Sequence, residues 1–304
     1  MRIATWNVNS LKARLERVGA WLERAKPDVL LMQETKLSDA DAPHAQFATW
    51  GYALAHHGQG RWNGVAIATR GPVSDLQVNF GDPFGKPVEP ATLTLALSGD
   101  TQDHNPLAEA RMMAATYQGV RVVSIYAPNG RVVGTPFFAA KLVWFARLAT
   151  WLHEHASPAT VVGGDYNIAP ADIDVWDPAQ CVGSTHVSVE ERGAFQRLLD
   201  SGFVDAYRLQ HPEGGRYSWW DYRAGNFHKN IGMRIDECLI SRALEPRLVW
   251  SEIDREARKG KPTPSDHAPV IIDLDEAGVP LDAGWTGAEE RIAARRLPKP
   301  PRGQ

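Results

Sequence analysis

Apolar and polar positions alternate along this chain in two periods, and the period changes many times. Residues 3–8 form a short apolar run at the start of the chain, which predicts a strand. Leu11, Leu15, Val18 and Leu22 follow at helical spacing and predict an amphipathic helix over 10–25, ended by Pro27. The apolar run at 29–32 predicts a buried strand. Further strands are predicted at 52–55 and 65–69 around the loop 56–63, then at 92–97, 112–117 and 120–126. Phe138, Leu142, Phe145, Ala149 and Leu152 mark a second long helix. A strand at 160–162 runs into Gly163-Gly164-Asp165. Ser188 and Glu191 form a capping box that opens a third helix, expected to end at Gly202. Strands at 217–220, 235–240, 248–253 and 269–274 complete the pattern.

Strands outnumber helices, and the helices are scattered among them. This predicts an α/β fold in which sheets are covered by helices. No Gly/Ser/Pro linker divides the chain, so one catalytic-size domain is expected over 1–275. Residues 79–110 read as an elaborated hairpin or insertion. Residues 276–304, Pro- and Arg-rich toward their end, read as a mobile tail.

Composition narrows the class. Of 304 residues, 43% are hydrophobic and 23% charged, which excludes a disordered or collagen-like chain. No run approaches the roughly 18 apolar residues of a membrane span, so no membrane partner is expected. The N-terminus lacks a secretory apolar region, and two cysteines are too few for a disulfide scaffold. A reducing, cytoplasmic setting is the expectation. The formal charge of −3 argues against a protein that coats nucleic acid through bulk positive charge.

Candidate chemistry gathers where strands end. Asn7 closes the first strand and Glu34 the second. Tyr126 closes another, followed by Asn129 and Arg131. Asp165 and Asn167 close the next, Asp236 sits in Met233-Arg234-Ile235-Asp236, and Asp266-His267 opens the last. Any one of these alone is an ordinary turn residue. As an ordered series they suggest one site at one sheet edge. Glu34, Asp165, Asp236 and Asp266 cannot share a cleft as bare charges. A hard divalent cation such as Mg²⁺ resolves the repulsion, polarises a phosphoryl oxygen and acidifies a water.

In this order the motifs resemble those of the exodeoxyribonuclease III family of apurinic/apyrimidinic endonucleases, within the deoxyribonuclease I-like endonuclease/exonuclease/phosphatase superfamily. The matching pieces are Trp6-Asn7-Val8-Asn9, Gln33-Glu34-Thr35-Lys36, Tyr126-Ala127-Pro128-Asn129, Gly164-Asp165-Tyr166-Asn167, Tyr217-Ser218-Trp219-Trp220, Arg234-Ile235-Asp236 and Ser265-Asp266-His267. The resemblance spans about residues 1–275. It implies a four-layer α/β sandwich, two mixed β-sheets packed face to face with helices outside. It implies a DNA-repair phosphodiesterase that cleaves 5′ to abasic sites, with 3′→5′ exonuclease and 3′-phosphodiesterase activity on duplex DNA. Mg²⁺ is the implied cofactor, with Mn²⁺ as a substitute.

Residue roles follow by the same similarity. Glu34, supported by Asn7, binds the principal cation. Asp165 aligns or deprotonates the attacking water, and Asn167 orients it. Asp236 pairs with His267, which contacts the scissile phosphate, and Tyr126 donates to a phosphate oxygen. Asp266 helps hold a second metal position, with His267, Asp165 and Asn167 nearby. Lys12, Lys36, Asn129 and Arg131 contact DNA phosphates. Trp219, Met233 and Ile235 wall a shallow pocket that admits a baseless sugar and excludes an intact nucleotide. The implied partner is double-stranded DNA with abasic sites or blocked 3′ ends, bound by a monomer that is nucleoid-associated in a bacterial cytoplasm. Two positions depart from the pattern. Tyr166 replaces the more usual Met or Phe, and Glu237 replaces an apolar residue beside Asp236, where a buried charge needs a partner. A phosphoesterase acting on phosphoinositides, sphingomyelin or unspecific DNA, and a non-enzymatic DNA-lesion binder, are the competing readings.

Overall fold

The computed structural model describes residues 1–81 and 105–296. The strand expected at 92–97 and most of the 79–110 segment lie outside the described residues, as do 297–304. Twelve strands among the described residues form two six-stranded sheets. The first has the order β11-β12-β1-β2-β4-β3 and the second β5-β6-β7-β8-β10-β9. Their ranges are β1 Arg2–Asn7, β2 Val29–Gln33, β3 Ala53–His57, β4 Val65–Thr69, β5 Ser74–Val78, β6 Met112–Tyr117, β7 Val120–Tyr126, β8 Thr160–Asp165, β9 Phe203–Asp205, β10 Asp236–Ser241, β11 Leu248–Ile253 and β12 Val270–Leu274. Each sheet is mixed. β1 runs parallel to β2 and β7 parallel to β8, while the other neighbours are antiparallel.

Residue alternation builds the layers. Ile3, Val29, Leu31 and Ile67 of the first sheet meet Met113, Val122, Val161 and Ile240 of the second in one core. The intervening positions face outward. Ala4, Trp6, Leu30 and Met32 pack under helix α1, Leu11–Ala25, and α2, His44–Thr49. Met112, Ala114, Val123 and Val162 pack under α3, Pro136–His155, and α5, Val189–Asp200. Between α3 and α5 lies the short α4, Pro178–Cys181; α6, Ala206–Gln210, and α7, Asn226–Lys229, follow α5. The result is the four-layer sandwich expected. The capping box forms as expected, with Ser188 Oγ accepting from Glu191 N at 3.2 Å and the Glu191 carboxylate from Ser188 N at 3.1 Å. The sheets approach closely at Gly163, where a Cβ would stand 2.7 Å from Leu31 Cδ1.

Two expectations need correction. Residues 217–220 do not form a regular strand. Trp219 makes only isolated bridges, to Met233 and to His267. The stretch after 275 is packed rather than a mobile tail as far as 292. Trp285 donates its indole N–H to the Ile253 carbonyl at 2.7 Å, and Ala283, Trp285, Ala288 and Ile292 are buried. The last helix, α8, is Ala288–Arg296. Gly and Pro interrupt this stretch and leave it without a readable period, which is why the sequence suggests a tail.

Candidate active site

The topology dictates where the polar strand ends meet. Parallel β1 and β2 end together, with Asn7 opposite Gln33. Parallel β7 and β8 end together, with Tyr126 opposite Asp165. Antiparallel β10 begins at that same end, with Asp236 opposite Asp165. Antiparallel β12 begins beside the end of β1, where Thr5 faces Val270, and so brings His267 to the same edge. All six strand ends therefore converge at one edge of the sandwich.

Their side chains form a connected group. The Asn7 amide Nδ2 donates to Glu34 Oε1 at 2.8 Å and to Asp165 Oδ2 at 2.9 Å. Asn167 N donates to Asp165 Oδ1 at 2.9 Å. The Asn167 side chain donates to the Ala127 carbonyl at 3.0 Å and accepts from Asn129 Nδ2 at 3.1 Å. His267 Nδ1 meets Asp236 Oδ2 at 2.8 Å, and its Nε2 lies 3.9 Å from Asp165 Oδ2. Tyr126 stands beside the Glu34 carboxylate, with the Arg111 guanidinium 4.7 Å from its ring centre. Glu34 and Asn167 both have positive φ, +51° each. Non-glycine residues in that region carry strain, which clusters at functional sites.

Electrostatics separate the roles. Burial, then the Asp236 charge, push the Asp165 carboxyl up to about 7. Burial draws His267 down, but Asp236, Asp165 and Asp266 outweigh it and hold the ring up to about 10. The ring is thus an imidazolium whose Nε2 is a donor. Burial and neighbouring carboxylates push Tyr126 well above its ordinary range, so it stays a neutral donor.

Glu34, Asp165 and His267 each place one ligand atom within 4.8 Å of the others. Two carboxylates joined through one amide, one of them held unusually protonated, make a donor set that a hard divalent cation fits. Asp266 stands apart from that group. Its Oδ1 accepts from Asn9 Nδ2 at 2.8 Å and its Oδ2 from Trp219 Nε1 at 3.2 Å. Burial works against its charge, yet His267 and these two donors hold it below the ordinary carboxylate range.

Trp219, Met233 and Ile235 come together as one apolar cluster with Val175 and Ala169. The Trp219 ring lies 6.5 Å from the His267 ring. Trp220 points the other way and is fully buried, its indole N–H on Asn230 Oδ1 at 3.0 Å. Lys36 bridges Glu34 Oε2 at 2.8 Å and Asn9 Oδ1 at 2.6 Å, so it enters the site itself. Lys12 is exposed on the first turn of α1. Arg131 is exposed and lies 3.7 Å over the Phe137 ring. The two departures are accommodated. Tyr166 is buried and donates to the Val162 carbonyl at 3.0 Å. Glu237 is fully buried with neither oxygen hydrogen-bonded, 4.0 Å from Arg234, and burial holds its carboxyl well above the ordinary range. Asp236, not Glu237, holds His267 Nδ1.

The sequence reading missed Asn9, which ties Asp266 to Lys36, and His186. His186 has φ +77° and turns Nδ1 onto the Asn167 carbonyl. Burial, then the Lys141 charge, push it down to about 4, so it is neutral. Asn9 stands inside a recognised motif and was legible there. Nothing local marks His186.

The model of the Endonuclease/Exonuclease/phosphatase family matches residues 4–267. The chain belongs to this family. Within it, the Exodeoxyribonuclease III of Haemophilus influenzae is 32% identical over 286 residues, covering 89% of this chain and 98% of that protein. A 3′ phosphatase from Neisseria, solved with a product DNA hairpin, is 39% identical with a TM-score of 0.79, covering 91% of this chain and 100% of that one. An AP endonuclease from Archaeoglobus fulgidus is 33% identical with the same TM-score of 0.79 and the same coverage. The family assignment makes the chain a nuclease of the exodeoxyribonuclease III and AP endonuclease type. Among the described residues no helix is long and apolar enough to cross a membrane.

Proposed function

We propose that this chain is a Mg²⁺-dependent DNA-repair phosphodiesterase that incises duplex DNA 5′ to abasic sites and processes blocked 3′ ends. The observation that carries the reading is the pairing of a charged, Asp236-bound His267 with a deprotonatable Asp165, beside the apolar Trp219–Met233–Ile235 wall. The 3′-end activity draws support from the Neisseria relative, and abasic incision from the Archaeoglobus one.

Glu34 and Asp165, joined by Asn7, would hold the cation, with Asn167 at its margin; when bound it supplies charge to a phosphoryl oxygen and acidity to a water. Asp165, beside the place of that water, takes its proton as it attacks. Asn167 orients that water. His267 donates Nε2–H to a nonbridging phosphate oxygen, and Tyr126 donates its hydroxyl to another. A protonated ring is a donor and not a ligand, so phosphate contact is the role favoured for His267. Asp266 steers Trp219 and Asn9 in place of holding a second metal. Lys12, Lys36, Asn129 and Arg131 contact flanking phosphates, which accounts for DNA binding by a chain of net charge −3. The protein acts as a cytoplasmic monomer.

The test is a substrate panel of abasic duplex, 3′-phosphorylated duplex, intact duplex and an inositol phosphate. Faster cleavage of the two damaged duplexes than of the intact one, which is trimmed from its 3′ ends, and none of the inositol phosphate is expected. Preference for the inositol phosphate would overturn the reading. In the same panel Trp219→Ala reduces the abasic-over-intact preference about tenfold, the size of one or two apolar contacts. An unchanged preference removes Trp219 from the pocket.

A further inference from the structure

Asn167 is held in its left-handed conformation from behind. Its carbonyl oxygen accepts from Lys141 Nζ at 2.6 Å as well as from His186. The same ammonium reaches the Asn129 carbonyl at 3.3 Å and Glu191 Oε1 at 2.5 Å. An ammonium has three protons, and here each has an acceptor. Lys141 projects from α3 and Glu191 from α5, and both side chains are fully buried. Glu191 in turn accepts from Thr185 Oγ1 at 2.9 Å and from His186 N at 3.0 Å. The loop at Gly130, φ +81°, lies so close over the Lys141 stem that a Cβ there would stand 2.9 Å from Lys141 Cδ.

A buried ion pair is a poor device for stability alone, since apolar residues of similar volume pack there at equal or lower cost. This pair does something an apolar pair cannot. It gives two backbone carbonyls of two different site loops a common donor. Both loops carry amide side chains toward the site, and those amides also bond each other, Asn129 to Asn167 at 3.1 Å.

We propose that Lys141 is a positioning residue for the hydrolysis, locking the Asn129 and Asn167 carbonyls so that their amides face the reacting phosphate. The proposal rests on the reading of Asn167 as a site residue, and its test separates the two. Lys141→Met keeps the stem and removes the donor. It is expected to lower kcat on abasic duplex about 30-fold, as loss of an outer positioning partner does, with KM changed less than threefold. Lys141→Arg, which keeps the charge, recovers part of that loss. In an Asn167→Ala background Lys141→Met costs less than threefold more, because both changes remove one function. A folded Lys141→Met with wild-type kcat, or a loss that multiplies in full with Asn167→Ala, overturns the proposal while leaving the site reading intact. An Asn167→Ala protein with unchanged kcat overturns the site reading and the proposal with it. Should Lys141→Met fail to fold, Glu191→Gln releases the ammonium at nearly constant shape. It is then expected to lose about tenfold in kcat with the same non-additivity, and full activity overturns the proposal.

Discussion

Asp165→Asn is expected to lower turnover of abasic duplex about 10³-fold while duplex affinity stays within a few-fold, the scale of losing a general base. The substitution is nearly isosteric. Asp165 Oδ1 accepts from Asn167 N, and the amide oxygen of the variant retains that bond. The Oδ2 side faces the Asn7 amide, which must rotate, so the change stays local. The variant also removes a carboxylate that burial and Asp236 already disfavour, so the cation-free fold is not weakened. Single-turnover rates and equilibrium binding on one abasic duplex check this. Matching losses of rate and affinity would assign Asp165 to binding.

Asp236→Asn is expected to lower kcat about 10²-fold at pH 7.5, with the gap to the wild type narrowing as pH falls toward 6. The sign follows from His267. Burial lowers its pKa, and Asp236 is the largest of the charges that raise it to about 10. A neutral amide at position 236 lets the ring lose its proton at neutral pH, and acid restores it. The same linkage acts on stability. A histidine raised in the folded state stabilises fully below its ordinary pKa near 6.5 and loses that contribution as pH rises through about 10. The variant lacks that contribution, so its stability deficit is largest on the acid side. A pH-independent rate ratio would show that the charge on His267 is irrelevant to the chemistry.

The strand ends of the site were legible because each polar residue abuts an apolar run. Asn7, Glu34, Tyr126, Asp165 and Asp236 are therefore placed by strand periodicity alone once the strands are aligned. Elements without an apolar signature were not legible. β5, Ser74–Val78, is largely exposed and carries two polar residues and a charge, so nothing announced it. Residues 281–292 bury Trp285 and Ile292, but Gly284 and Gly287 hide any period. The long-range part of the site was closed to sequence for a different reason. Lys141 lies in the middle of a helical apolar face and reads as a surface break in that face. Only the packing of α3 against α5 turns it inward onto Asn167. Glu237 is buried beside Arg234, whose guanidinium is taken up by Asp174 at 2.6 Å and Asp205 at 2.8 Å, contacts between residues far apart in the chain.

As proposed, this edge of the sandwich hydrolyses phosphodiesters of damaged DNA through a cation held by Glu34 and Asp165. Incision of a single-site abasic duplex, with 3′ ends resolved, tests it directly when run in Mg²⁺, in EDTA and with Glu34→Gln. A cut 5′ to the lesion in Mg²⁺, none in EDTA, and a severe loss in the variant that excess Mg²⁺ partly relieves are expected. Incision undiminished in EDTA, or tight duplex binding with no cut in Mg²⁺, would contradict it.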